Sequence, residues 1–145
     1  ENHREITFDE NHIKQLHKIL LSHSAKDEAH RGEYKKQENH VEARHPDGRV
    51  EVIFRTASPF DTPRLMAEQV QKTAAAFESD EVHPLAAIAR FIVAFLAIHP
   101  FKDGNGRLSR ALTTLLLLRS GYDYVPYSSL ERVVEENKAA YYASL

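Results

Sequence analysis

Between His99 and Arg110 the chain reads HPFKDGNGRLSR, a stretch that holds one histidine, one aspartate, one asparagine, two glycines and two arginines. These types suit the handling of a phosphorylated ligand. Gly104 and Gly106 permit positive φ and remove Cβ atoms that would block a ligand. Successive backbone N–H groups in such a turn form an anion-binding concavity. A helix starting there adds its unpaired N–H groups and the positive end of its dipole. Arg107 and Arg110 stand three residues apart, on one helical face, and two guanidinium groups suit a polyphosphate better than a single carboxylate. A carboxylate at Asp103 makes sense among phosphates when a divalent cation lies between them, an arrangement that Mg2+ favours. His99, with an ordinary pKa of about 6.5, can take a proton near neutral pH. Base, metal and phosphate together describe group transfer to a hydroxyl.

Each residue alone has a plainer reading. A histidine at a helix end is commonly a structural hydrogen-bonding residue, Gly-Asn-Gly a tight turn, and an arginine pair a solvated face. Their concentration between two apolar runs, LAAIARFIVAFLAI before and ALTTLLLL after, sets the cluster apart from those readings.

Helices must position it. Ile13, Leu16, Ile19 and Leu20 recur at helical spacing, with Asp9 as N-cap. The polar stretch SHSAKDEAHRGEYKKQ reads as a connection. HVEARHPDGRVEVIF alternates around Pro-Asp-Gly and predicts a β-hairpin at the surface, with Val41 and Ala43 leading in and Val50, Val52 and Phe54 leading out. A second helix starts near Asp61–Pro63, capped by Asp61 or Thr62, with Leu65, Met66, Val70, Thr73 and Phe77 on its inner face. HPLAAIARFIVAFLAI is apolar nearly all round, which predicts a helix enclosed by others, and Pro100 ends it. The helix after the cluster ends at Gly121. A last one is capped by Ser128 or Ser129. The expectation is an all-α domain, a compact helical bundle with one small hairpin.

Composition sets outer bounds. The chain has 145 residues, 42% hydrophobic and 28% charged, an ordinary balance for one domain. Net charge is −2, from 19 Lys+Arg against 21 Asp+Glu, so no basic field predicts nucleic acid as a partner. Without cysteine there is no disulfide or thiolate metal site. The nine histidines do not repeat a helical metal-ligand spacing, so zinc is not expected. The run Leu85 to Ile98 is too short to cross a bilayer, which takes about 20 residues. The polar start, ENHREITFDE, does not resemble a signal peptide, and a cytoplasmic protein is expected. The missing initial Met predicts a fragment of a longer chain or a processed one.

HPFKDGNGR resembles the signature of the Fic domain, H-P-F-x-[DE]-G-N-G-R, at every specified position, and Arg110 in RLSR matches its second arginine. LLSHSAKDEAHRGEYK, SPFDTPRLM, LLLLRSGY and AAYYASL are also similar to Fic segments, in Fic order. The resemblance implies a single Fic domain over 1–145, a helical bundle with a hairpin flap at about 40–54. It implies transfer of AMP from ATP to a Ser, Thr or Tyr hydroxyl of a target protein, with release of pyrophosphate. His99 would deprotonate the hydroxyl and Asp103 would hold Mg2+. Gly104, Asn105 and Gly106 would line the α- and β-phosphates, Asn105 orienting them by its side chain as well. Arg107 would neutralise phosphate charge and Arg110 reach the terminal phosphate. The flap, at Val52, Ile53 and Phe54, would seat the target by strand addition. Tyr141 and Tyr142 match a tyrosine pair that can sit near the nucleotide.

The chain also departs from the family pattern. Many Fic proteins are inhibited by a helix carrying [ST]-x-x-x-E-[GN]. SAKDEA, Ser24 to Ala29, ends in Ala, and RVVEEN, Arg132 to Asn137, starts with Arg, so neither matches in full. The inhibitory helix is expected outside this chain or on an antitoxin-like partner. Fic relatives that transfer phosphate carry Ala-Asn-Lys in place of Gly-Asn-Gly. Phosphocholine or another nucleotide as donor, removal of AMP, and a nucleotide- or partner-binding module without transfer are the alternatives.

Overall fold

The computed structural model describes residues 7–44, 47–79, 81–127, 129–137 and 140. Helix α1 (Glu10–Leu20) begins as expected at Asp9, whose Oδ1 accepts from the His12 backbone N–H at 2.8 Å. That satisfies one of the helix's unpaired donors. Helix α2 (Thr62–Glu78) has Pro63 in its first turn, but neither Asp61 nor Thr62 caps it with a side chain. Asp61 already has helical φ and ψ, and Ser58 Oγ accepts from its N–H at 3.0 Å. The capping hydroxyl therefore lies three residues upstream of the expected position. Met66, Val70 and Thr73 face the core, with Leu65 and Phe77 packed at its edge.

Helix α3 (Pro84–Ile98) packs between α2 and α4 (Asn105–Arg119), and α1 lies against α4 and α2. Phe91 and Phe95 of α3, Phe101 after it, and Leu108, Leu112 and Leu116 of α4 are fully buried. The enclosure expected for α3 is incomplete. Leu85 and Val93 are 45% and 38% exposed, and Ala89 and Arg90 face solvent beside them. An all-apolar sequence with one charge still leaves one open stripe, because α2 and α4 cover only two sides.

Gly121 closes α4 with φ of 87°. Its N–H bonds the Leu118 carbonyl, and the Tyr122 N–H bonds that of Leu117, the paired bonds of a Schellman turn. Helix α5 (Leu130–Glu136) is capped by Ser129 Oγ, which accepts from the Arg132 N–H at 3.2 Å. Tyr141 and Tyr142 lie outside the described residues.

Strands β1 (Val41–Arg44) and β2 (Val50–Phe54) form the antiparallel hairpin. Val41 pairs with Phe54 and Glu42 with Val52, so Ile53 is the extra residue of a bulge. Val50, Val52 and Phe54 are about half exposed, which places the hairpin at the surface as expected. The preceding polar segment is more ordered than a plain connection: it holds a 3-10 turn (Ala25–His30) and the buried Lys35. No helix among the described residues is long and apolar enough to cross a membrane.

Candidate active site

His99 ends α3 with φ 52° and ψ 59°, a left-handed conformation that no other non-glycine among the described residues adopts. That conformation costs an L-residue about 1–2 kcal/mol and persists only where surroundings enforce it. Here they do. The His99 N–H bonds the Phe95 carbonyl at 2.9 Å, and Asn39 Nδ2 donates to the carbonyls of His99 and Phe101 at 3.0 and 2.6 Å.

The ring of His99 lies 3.3 Å through Nδ1 from the Leu96 carbonyl. A carbonyl only accepts, so Nδ1 carries the proton and Nε2 keeps its lone pair. Burial holds the ring's pKa below the ordinary value, and the nearby charge of Lys35 lowers it further. The Leu96 carbonyl and the Asp103 carboxylate pull the other way, without cancelling the burial. The imidazole is neutral at neutral pH and offers one basic nitrogen.

Phe101 anchors the loop that follows. Its ring is fully buried, stacked on His17 and in contact with Tyr34 and Phe95. Asn105 closes the loop with its side chain: Oδ1 accepts from the Phe101 N–H at 2.9 Å and Nδ2 donates to the Phe101 carbonyl at 2.6 Å. The amide is buried, and both of its polar atoms hold the turn. Asn105, Gly106 and Arg107 open α4, and the first-turn N–H groups of a helix have no intrahelical partner.

The two glycines differ. Gly104 has φ of 80°, and a Cβ there would meet His17 Nε2 and Leu21 Cδ2 at 3.5 Å. Gly106, expected to use the same freedom, is not among the residues with positive φ, because it lies inside the first turn of α4. A Cβ at Gly106 would meet only Arg110 Nη1, at 3.9 Å. The guanidinium of Arg110 thus stands over the bare backbone of the first turn.

Asp103 is half exposed. Its Oδ1 accepts from the Gly104 N–H at 2.6 Å, and its Oδ2 lies 3.5 Å from Arg107 Nη2. No group of three or more His, Asp or Glu among the described residues is arranged to hold a metal ion. A cation at Asp103 would take its other ligands from phosphate and water, and this donor set fits Mg2+, which binds through one or two carboxylates and keeps several waters.

Three residues without any signal in the sequence reading complete the site. His17 is buried, accepts at Nδ1 from the Gly32 N–H at 2.9 Å and so donates from Nε2 to the Asp103 carbonyl at 3.0 Å. Lys35 Nζ donates to the Ile98 carbonyl at 2.9 Å, and its backbone N–H to that of Pro100 at 2.8 Å. Asn39 is the third. The motif's backbone is therefore held from outside at Ile98, His99, Pro100, Phe101 and Asp103.

The comparisons agree with this geometry. Residues 7–117 match the Fic/DOC family. The protein adenylyltransferase Fic of Drosophila ananassae is 34% identical over 120 residues, which covers 81% of this chain and 21% of that protein. The chain thus spans about a fifth of the length of the curated relatives it matches. A Fic domain containing signaling protein from Bacteroides thetaiotaomicron superposes with a TM-score of 0.66 at 30% identity, over 81% of this chain and 41% of its own. A Fic family protein from Desulfovibrio desulfuricans reaches 0.73 at 27% identity, over 93% and 38%. With the motif intact, the bundle matched and most of the length covered, the chain belongs to the Fic/DOC family.

Proposed function

We propose that this domain transfers AMP from ATP to a Ser, Thr or Tyr hydroxyl of a target protein. The observation that carries the reading is the His99 ring, held by the Leu96 carbonyl at Nδ1 with a basic Nε2, a few residues before a helix N-terminus flanked by two arginines. Nε2 takes the hydroxyl proton as the oxygen bonds to the α-phosphorus. The bond from that phosphorus to the bridging oxygen breaks, and pyrophosphate leaves. The first-turn N–H groups of α4 and the guanidinium groups of Arg107 and Arg110 stabilise charge on the departing phosphates. Mg2+ held at Asp103 would neutralise phosphate charge. A base in this position contributes about 10²–10⁴-fold.

The flap, through Val52, Ile53 and Phe54, would seat the target as an added strand; exposed Val52 and Phe54 support this role. Family likeness alone proposes Tyr141 and Tyr142 as nucleotide-proximal residues. Inhibition would come from a segment beyond this chain or from a separate protein, since neither Ser24–Ala29 nor Arg132–Asn137 carries the full inhibitory pattern. An ATP donor and a chain without cysteine fit a cytoplasmic setting.

The test uses the purified chain with Mg2+, ATP labelled in the α- or the γ-phosphate, and lysate proteins, with His99→Ala as control. Label from the α-phosphate alone, lost in the variant while ATP still binds, is the expected result. Label from the γ-phosphate would mean phosphate transfer, and no label with ATP bound would leave another donor or a binding module.

A further inference from the structure

We propose that Lys35, Asn39 and Thr56 are positioning residues, one hydrogen-bond network that ties both roots of the β-hairpin to the backbone turn carrying His99. The proposal rests on the reading of His99 as the base and of the hairpin as the target's seat. It adds the physical link between them.

The two ends of the hairpin meet at this network. Asn39 stands two residues before β1 and Thr56 two after β2. Thr56 Oγ1 lies 3.1 Å from Asn39 Oδ1, and Lys35 Nζ donates to both, at 2.9 and 2.7 Å. The third bond of Nζ goes to the Ile98 carbonyl. An ammonium group has three N–H donors, and each has an acceptor here. Asn39 is oriented by the same set. Its Oδ1 faces two donors and its Nδ2 faces the carbonyls of His99 and Phe101, so an amide flip would set the oxygen against two carbonyls and the nitrogen against the Lys35 ammonium.

The energetics point the same way. Lys35 is only 5% exposed, and burying a charge is costly unless it is paired or fully hydrogen-bonded. Its hydrogen-bond partners are neutral oxygens, and the carboxylate that acts on it, that of Glu38, does so electrostatically. An aliphatic side chain would pack this position without that cost. What the ammonium supplies instead is a three-way junction between two hairpin roots and the catalytic turn. The left-handed conformation of His99 needs such enforcement, since its ring direction follows from its backbone. Displacing a hairpin root strains Asn39, and Asn39 holds the His99 carbonyl.

The test reads the His99 ring directly, without requiring activity. Histidine ring 15N spectra of the chain, assigned with His99→Ala, would be compared for wild type, Lys35→Met, Asn39→Ala and Thr56→Val, alongside amide exchange across residues 41–54 and far-UV circular dichroism. Thr56 does not bond to His99, so a structural filler at that position would leave the ring signals alone. In Thr56→Val and Lys35→Met we expect shifted His99 ring signals and hairpin exchange faster by about tenfold or more, the scale of a lost hydrogen bond to a charged group. In Lys35→Met the His99 titration should also move upward, because a nearby positive charge is gone. Unchanged ring signals in a folded Thr56→Val protein would overturn the proposal, and that variant decides the matter if Lys35→Met fails to fold. Because the spectra are independent of label transfer, a shifted ring in a chain that transfers nothing would uphold the network and sink only the activity.

Discussion

The ring of His17 lies flat on that of Phe101, with centroids 3.9 Å apart and planes 15° from parallel. This stack joins α1 to the centre of the motif, and both ring nitrogens of His17 have backbone partners, at Gly32 and Asp103. His17→Phe keeps an aromatic ring and removes both bonds. It leaves the part-buried Gly32 N–H and Asp103 carbonyl to find new partners, at about 1 kcal/mol or more. Urea unfolding should show that loss. A stability equal to wild type would mean that stacking alone fixes α1 on the loop.

Gly104→Ala and Gly106→Ala should separate fold from function. At Gly104 the left-handed φ of 80° penalises alanine by about 1–2 kcal/mol, visible as a lowered unfolding midpoint. At Gly106 alanine meets only Arg110 Nη1, and in a helix it is favoured over glycine by about 1 kcal/mol. The second variant should be as stable as wild type or more so, yet bind ATP more weakly, as measured by calorimetry. Unchanged ATP affinity would show that phosphate does not approach the first turn at that position.

Two groups set opposite edges of the pH profile. Burial lowers the pKa of His99, so on His99's account transfer should hold through neutral pH and fall on the acid side. The unfolded chain takes that proton first, near pH 6.5, so His99 lowers stability as the pH drops from there through its folded pKa. Burial also pushes Lys35 down to about 8 from 10.5, against the pull of Glu38. Above that pH the neutral amine has two N–H groups for three acceptors, and the hairpin latch weakens. The unfolded chain keeps its proton longer, so on Lys35's account stability rises between about 8 and 10.5. Rate and unfolding midpoint should therefore part company above pH 8, and Lys35→Met should abolish the divergence. A midpoint that falls with the rate would argue for simple alkaline unfolding.

Arg107 pairs with Asp103 at 3.5 Å, both half exposed, and such a pair contributes at most about 1 kcal/mol. Arg107→Ala should leave the unfolding midpoint close to wild type. If the guanidinium holds phosphate, ATP affinity should drop by roughly tenfold or more. An equal drop in affinity for adenosine would place Arg107 elsewhere.

The elements that sequence made legible are those whose cause is local. Asp9 precedes an amphipathic run, Ser129 precedes another, Gly121 follows a third, and Asp-Gly sits between alternating strands; each acts within a few residues of itself. The motif was legible for the same reason, as its chemistry is packed into one short stretch. Lys35, Asn39 and His17 were not, because each bonds a backbone carbonyl 60 to 86 positions away. A polar residue bonded to a distant backbone leaves no period and no spacing. The open stripe on α3 escaped for a related reason: hydropathy records what a helix can bury, whereas the number of neighbours is decided by the rest of the bundle.

The left-handed turn at His99 makes it a position where selection for durability and selection for chemistry choose different residues. Glycine there would release about 1–2 kcal/mol of backbone strain and remove the imidazole. A library screened only for heat resistance would thus accumulate inert proteins at this site. Retaining histidine in such a library requires a screen for product, and a homologue carrying glycine at the matching position would be a sturdier scaffold with its reaction switched off.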